Sequence, residues 1–393
     1  MGISKGIGPA FTGHAIQISL TLQTPWYGGG FPMSGFYLKR TVRSLVTGMV
    51  LLTVLVTTLL PGWAGRANAA AAGVGLAAAR ASAPVPDMLP AQASETQAPA
   101  ARAAVAFAPT PEQTSAFLAG DVAVKVLFVE SAAGPENWSA SEVDQVKKEV
   151  SQALEWWTTV AAMPATPGGD PRPSAHLTWN VSYVSPFDGP AGDRPKIQVG
   201  VEPVQGSVAS ASEPDTGWIH QVASAFTGLP ADVSATRQLA HNTRVSGGAD
   251  WGFVLYVVDS SADADGLFDG DGQPGGAALN GPWAVVTADG GTLGTDNLEI
   301  LIAKMVGHVF GAGDESYDPA TGGCRQEEVY GYLRVAHTNC EQNNGAPAPS
   351  LMRSGAAMVS AYAAHALSEP ARQQVGWRDA DQSGVYDVFE TLV

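Results

Sequence analysis

The sequence predicts a mixed α/β (α+β) domain from about residue 116 to the C-terminus. Three observations carry that expectation. Short β-rich runs alternate with stretches of helical periodicity, Phe253 to Val258 (FVLYVV) is continuously apolar, and the order strand, helix, strand, helix, strand, strand, helix gives way to an irregular C-terminal part. No internal repeat is present.

Val122 to Glu130 (VAVKVLFVE) reads as the first strand. Ser139 then opens S-x-x-E with Glu142, a capping box in which the two residues satisfy each other's backbone donors. Val143, Val146, Val150, Leu154 and Trp157 follow at three- and four-residue steps, which predicts an amphipathic helix over 140–160. Leu177, Trp179, Val181 and Tyr183 alternate as in a half-exposed strand. The segment from Thr216 to about Ala240 looks helical, with a break near Gly228-Leu229-Pro230. The apolar run 253–258 reads as a central strand buried on both faces, and Trp283 to Thr287 as another short strand. A last helix spans about Asp296 to Phe310, with Glu299 three residues after Asp296 at its start and Gly311 as a natural stop.

The front of the chain looks like an address label. Lys39, Arg40 and Arg43 precede an apolar run from Leu45 to Leu60; Pro61 and Gly62 break it, and Ala67-Asn68-Ala69 supplies small residues for a signal peptidase. Residues 33–69 therefore read as a signal peptide starting at Met33, and 1–32 as an over-extended gene start. A membrane anchor is the rival reading, although the run is shorter than the ~20 residues a spanning helix needs. Residues 70–115, rich in Ala and Pro, read as a linker or pro-segment that cannot bury enough apolar area to order itself. Residues 116–393 form the folded domain.

The formal net charge is −16, and the first 69 residues hold five cations and no acid, which leaves 16 cations against 37 acids in the remainder. Such a surface repels phosphate backbones and excludes a general nucleic-acid binder. With 45% hydrophobic residues and ten Trp the chain has the material for a core, which excludes global disorder. The two cysteines, Cys324 and Cys340, would pair in an oxidising compartment and close a short loop. A thiol-metal site is the competing reading, without C-x-x-C spacing to support it.

The informative stretch is Lys304-Met305-Val306-Gly307-His308-Val309-Phe310-Gly311-Ala312-Gly313-Asp314, followed about forty residues later by Ser350-Leu351-Met352-Arg353. From His308 it reads H-x-x-G-x-x-D. This resembles the metzincin zinc peptidases, in the variant whose third ligand is Asp, with signature H-E-x-x-H-x-x-G-x-x-D and a Met-turn. The flanking text (VGHVFGAGDES, and GYLRVAHTNC before LMR) is similar to bacterial secreted members, and the similarity runs from about residue 120 to the C-terminus. The resemblance implies a zincin-like fold: a mixed twisted sheet, an active-site helix, and an irregular C-terminal subdomain carrying the Met-turn. It makes His308 the second zinc ligand, Asp314 the third, Gly311 the turn and Met352 the Met-turn residue.

The departure from that pattern falls on the chemistry. Lys304 stands where the family has its first His, and Met305 where it has the catalytic Glu. A unit-charge pair at ~4 Å and an effective dielectric of ~20 is worth about 4 kcal/mol, so an ammonium facing a divalent ion costs roughly twice that. Met305 cannot move a proton, and a positioned general base is typically worth ~10²–10⁴ in rate. No catalytic residue is therefore assigned, and the zinc site reads as vestigial. Lys304 either occupies the empty metal position and pairs with Asp314, or points to solvent in a relaxed cleft; for His308 a hydrogen-bonded core histidine is the lesser rival reading. His176 is placed on a strand face, His220 and His241 in the helical middle, His337 in the Cys324–Cys340 loop and His365 beyond the Met-turn, all in structural roles.

Near the C-terminus, Asp379, Asp381, Ser383, Asp387 and Glu390 fall at positions 1, 3, 5, 9 and 12 of an EF-hand-type loop, with Gly384 at 6 and the Val385 carbonyl at 7. Calcium there would tie down the C-terminus; a solvated acidic tail is the alternative. Asp263, Asp265, Asp269 and Asp271 around Gly266 lack the full spacing and read as an exposed loop, with a cation site or a cleft-lining loop as rivals. The expected protein is thus a secreted or cell-surface metallopeptidase homologue without peptidase chemistry that binds a peptide or protein. An active zinc endopeptidase with a replacement ligand, and a calcium-stabilised surface protein, are the competing classes.

Overall fold

The computed structural model describes residues 109–132, 134, 137–163, 173–190, 195–213, 217–317, 324–325, 328–342 and 346–390. The expected signal peptide and nearly all of the expected linker lie outside them. The fold is mixed α/β around a mostly parallel sheet. Its strands are β1 (Asp121–Ser131), β2 (Thr178–Val184), β3 (Ile197–Val199), β4 (Trp251–Val258), β5 (Gly275–Ala277) and β6 (Trp283–Thr287), in the order β2-β1-β4-β6-β5 with β3 also on β1. All pairings are parallel except β5 with β6. The first half of β1 pairs with β2 and its last three residues with β3, so one long strand carries two short neighbours on the same side.

Period-two alternation sorts the central strands onto two faces. Val124, Val126 and Phe128 of β1 and Phe253, Leu255 and Val257 of β4 join one core. Leu127 and Val129, with Val254, Tyr256 and Val258, join the other. Burial on both sides is why β4 is an unbroken apolar run: every one of its eight residues is buried. The first core is covered by α1 (Ala140–Ala162) and α5 (Leu298–Val309), the second by α3 (Trp218–Thr227) and α4 (Val233–Ser246); a single turn, α2 (Val208–Ala211), precedes α3.

The capping box forms as its spacing requires. The Glu142 amide donates to Ser139 Oγ at 3.3 Å and the Ser139 amide donates to Glu142 Oε2 at 2.7 Å. The helical middle breaks at Gly228, whose positive φ of 73° closes α3. Two local expectations change. Asn297, not Asp296, precedes α5, because a 3-10 turn at Thr295–Asn297 leads into it. His176 lies before β2 with φ 47°, outside the strand.

The C-terminal part carries a two-residue hairpin, β7 (Val329–Tyr330) with β8 (Val335–Ala336), and the short helices α6 (Gly355–Ala363) and α7 (Glu369–Gln374). Trp377 fastens it to the segment that leads into β1 by donating from its indole to Leu118 O at 2.6 Å. Among the described residues no helix is long and apolar enough to cross a membrane. Replacing Ser139 by Ala removes the acceptor for one orphan helix donor, and should lower the unfolding free energy by ~1 kcal/mol in a urea titration. An unchanged midpoint would show that the box does not hold the start of α1.

Candidate functional site

Helix α5 is apolar on nearly every side, as a helix enclosed by its own protein must be. It packs against β5 and β6 on one side and α1 on the other. The Trp157 indole of α1 donates to Ala303 O at 2.9 Å. Lys304 follows Ala303, only 8% exposed. An ammonium so enclosed requires an anion, and Nζ lies 2.6 Å from Asp314 Oδ1. Of the two fates open to Lys304, the structure has the ion pair.

The chain reaches Asp314 through a helix stop of Schellman type. The Gly311 amide donates to His308 O at 2.9 Å and the Ala312 amide to Gly307 O at 2.8 Å. Gly311 sits at φ 92°, and a Cβ there would meet Asn280 Oδ1 at 2.5 Å and Gly331 Cα at 2.6 Å. Only glycine satisfies both the angle and the space. One helical turn beyond Lys304, His308 points the same way. Its Nδ1 faces Ala312 O at 2.8 Å, so Nδ1 carries the proton and donates. That leaves Nε2 3.7 Å from Asp314 Oδ1, too far for a hydrogen bond. Met305, where the resemblance expects a general base, is buried and apolar.

Met352 lies beneath this turn. A Cβ on Gly307 would meet its sulfur at 2.7 Å, and Met352 O accepts from the Glu315 amide at 2.9 Å. The residue sequence reasoning missed is Glu315, fully buried beside Asp314. Its carboxylate accepts from Asn339 Nδ2 at 2.9 Å and from the Ser368 hydroxyl, knitting three distant segments together. His337, also fully buried, faces Asp314 O with Nε2 at 2.6 Å, while the Gln374 amide meets its Nδ1 at 3.2 Å.

Burial works to raise the Asp314 carboxyl, but the Lys304 ammonium, with His308 next, outweighs it and holds the group below the ordinary 3.8. Protein surrounds the carboxylate, yet 54% of the side chain meets solvent, so the pair is partly screened. Burial depresses His308 below 6.5; the Asp314 charge opposes this and the Lys304 charge adds to it.

Cys324 and Cys340 form a disulfide. Among the described residues they and His337 are the one group with three ligand atoms within 4.8 Å of one another, and the bonded sulfurs are not thiolates. In the C-terminal loop, Asp379 accepts from the Ser383 and Gly384 amides, and Glu390 from the Ser383 hydroxyl at 2.6 Å. Asp381 also accepts from the Ser383 amide, and Asp387 pairs with Arg378 at 2.5 Å. The loop is folded on its own amides, with no three carboxylates gathered on one point. Asp263, Asp265 and Asp271 likewise accept from nearby amides, while the Asp269 amide donates to Val204 O.

Edge strand β5 borders the cluster: just beyond it, the Asn280 amide donates to His308 O at 3.1 Å. No family model matches this chain, and no curated protein matches it.

Both titration shifts have one sign. Lowered folded pKa values mean that the unfolded chain takes up more protons, so stability present at neutral pH is lost as pH falls. For Asp314 the loss begins below about its ordinary value of 3.8 and continues through the lower folded value. Lys304→Met removes the ammonium that holds Asp314 down, so its stability should fall less steeply on acidification below pH 3.8 than that of the wild type. Urea midpoints across pH read this out, and identical acid limbs would show that Lys304 does not control Asp314.

Proposed function

We propose that this protein is an exported metallopeptidase homologue that binds an extended peptide or protein segment and does not cleave it. The observation that carries the reading is the Lys304–Asp314 ion pair at 2.6 Å. A fixed cation occupies one side of the only carboxylate the resemblance offers as a ligand. The donors left for zinc are His308 Nε2 and whatever Asp314 retains, fewer than the three protein ligands of a catalytic site. That donor set does not fit zinc, and with Met305 in place of a base no hydrolytic step is derived through it.

Several features support the metzincin-like frame. The sheet ends in a single antiparallel strand, β5, beside α5. Gly311 supplies the turn after His308, and Met352 packs beneath α5 at Gly307. An edge strand offers unpaired backbone groups to an extended ligand, which needs no metal to be recognised. The disulfide fits an oxidising compartment and so supports export.

The decisive experiment restores the motif. The variant Lys304→His with Met305→Glu recreates H-E-x-x-H-x-x-G-x-x-D. It should gain one equivalent of zinc and chelator-sensitive casein hydrolysis, while the wild type retains labelled casein peptides in fluorescence polarisation without cleaving them. Stoichiometric zinc and chelator-sensitive cleavage by the wild type would sink the proposal in favour of an active endopeptidase. Neither binding nor cleavage would favour a structural role.

A further inference from the structure

At the opposite end of the sheet from Lys304, two acidic side chains are buried without enough donors. Glu130 and Asp259 are each 1% exposed. Glu130 Oε1 accepts from Lys196 at 3.1 Å and Gln198 at 2.9 Å, but Oε2 is buried with no hydrogen-bond partner. Asp259 Oδ1 accepts from the Ser261 amide at 3.0 Å, and its Oδ2 is likewise buried and unpartnered. A bare carboxylate oxygen out of water is costly unless something else meets it.

The two are neighbours by register. Val129 pairs with Val258, and the Asp259 amide donates to Val129 O at 2.9 Å, so Glu130 and Asp259 are the next pair along. Each lies two residues after a member of the first core, Phe128 and Val257, and therefore on that same face. Glu142, in the first turn of α1, adds a third negative charge. Burial pushes the Asp259 carboxyl up, the Ser261 hydrogen bond opposes this, and the Glu142 and Glu130 charges push it further. Half-exposed Lys196 offsets one of the three.

Topology makes the position more telling. The chain leaves β1 toward the face that carries α1. It leaves β4 toward the other face, where Phe268 joins the second core and the Asp269 amide donates to Val204 O. Adjacent parallel strands whose connections diverge open a crevice at their carboxyl ends, the place where open α/β sheets take ligands. We infer that Glu130 and Asp259 are two ligands of a hard divalent cation, calcium or magnesium, held at this divergence between β1 and β4. All-oxygen donors select such an ion over softer metals. The site is independent of the peptide-binding reading, since the Lys304 cluster lies beside Asn280 at the amino ends of the strands.

The test is titration of calcium and of magnesium into the chelator-stripped full chain by calorimetry, with melting followed in parallel. Glu130→Gln with Asp259→Asn should lose one bound equivalent and the cation-dependent rise in Tm, and in chelator should melt above the wild type because its buried charges are gone. Asp379→Asn with Asp381→Asn, which alters the C-terminal loop, should leave both signals in place. Should the first variant fail to fold, terbium supplies a second readout. Trp138 donates to Val129 O at 3.3 Å and packs on Phe128, so Trp138→Phe should dim indole-sensitised emission from a terbium ion bound there. The inference is overturned by absence of binding up to roughly 1 mM, by equal stoichiometry in the Glu130/Asp259 variant, by binding lost only with the C-terminal loop, or by unchanged terbium emission in Trp138→Phe.

Discussion

A charged amine inside an apolar helix must be met by an anion, and much of the C-terminal half is arranged around that need. Lys304 sits in α5, and Asp314 comes back to it only because Gly311 can hold a left-handed backbone where no side chain fits. Met352 fills the space under the turn, and its carbonyl fixes the amide just after Asp314. Removing the lysine charge would not leave a buried orphan, since Asp314 reaches solvent. Removing Asp314 would, because Lys304 does not. The pair is therefore asymmetric: the aspartate serves the lysine more than the reverse.

Beyond α5, regular structure is sparse, and apolar anchors such as Leu351, Met358 and Trp377 are joined by a buried polar network. Glu315, His337, Asn339, Ser368 and Gln374 are all buried, and their hydrogen bonds cross long stretches of chain. Such a network is all or nothing, because one missing partner leaves others unsatisfied in a dry interior. The disulfide lies inside this region and ties it covalently.

What could be read in the sequence was what depends on near neighbours. The Ser139 box spans three residues, α1 repeats its stripe over six turns, and β4 is apolar throughout because both its faces are covered. Strands β3 and β5 are three residues each, and Gly275–Ala277 has no side-chain alternation to reveal it. The sequence starts the last helix at about Asp296, but a 3-10 turn at Thr295–Asn297 moves its start to Leu298. The Lys304–Asp314 pairing is one of two readings the sequence leaves open, since helix spacing and one glycine bring the residues near but do not fix the side chains. Glu315 was not legible, for its partners lie 24 and 53 residues away. Glu130 closes the run 122–130 and Asp259 follows the run 253–258, and only the sheet order makes them neighbours.

The backbone on both sides of Asp314 is anchored: the Gly313 amide donates to Gln374 Oε1, His337 faces the Asp314 carbonyl, and the next residue is locked through amide and carboxylate alike. The backbone around Asp314 is thus pre-shaped, with its entropy cost met during folding. On the proposed reading, a peptide seated there would meet a rigid template, and its observed association rate would rise linearly with concentration without a slow closing phase. Selectivity would then come from rejection of misfits more than from moulding around the guest, and would show in dissociation rates.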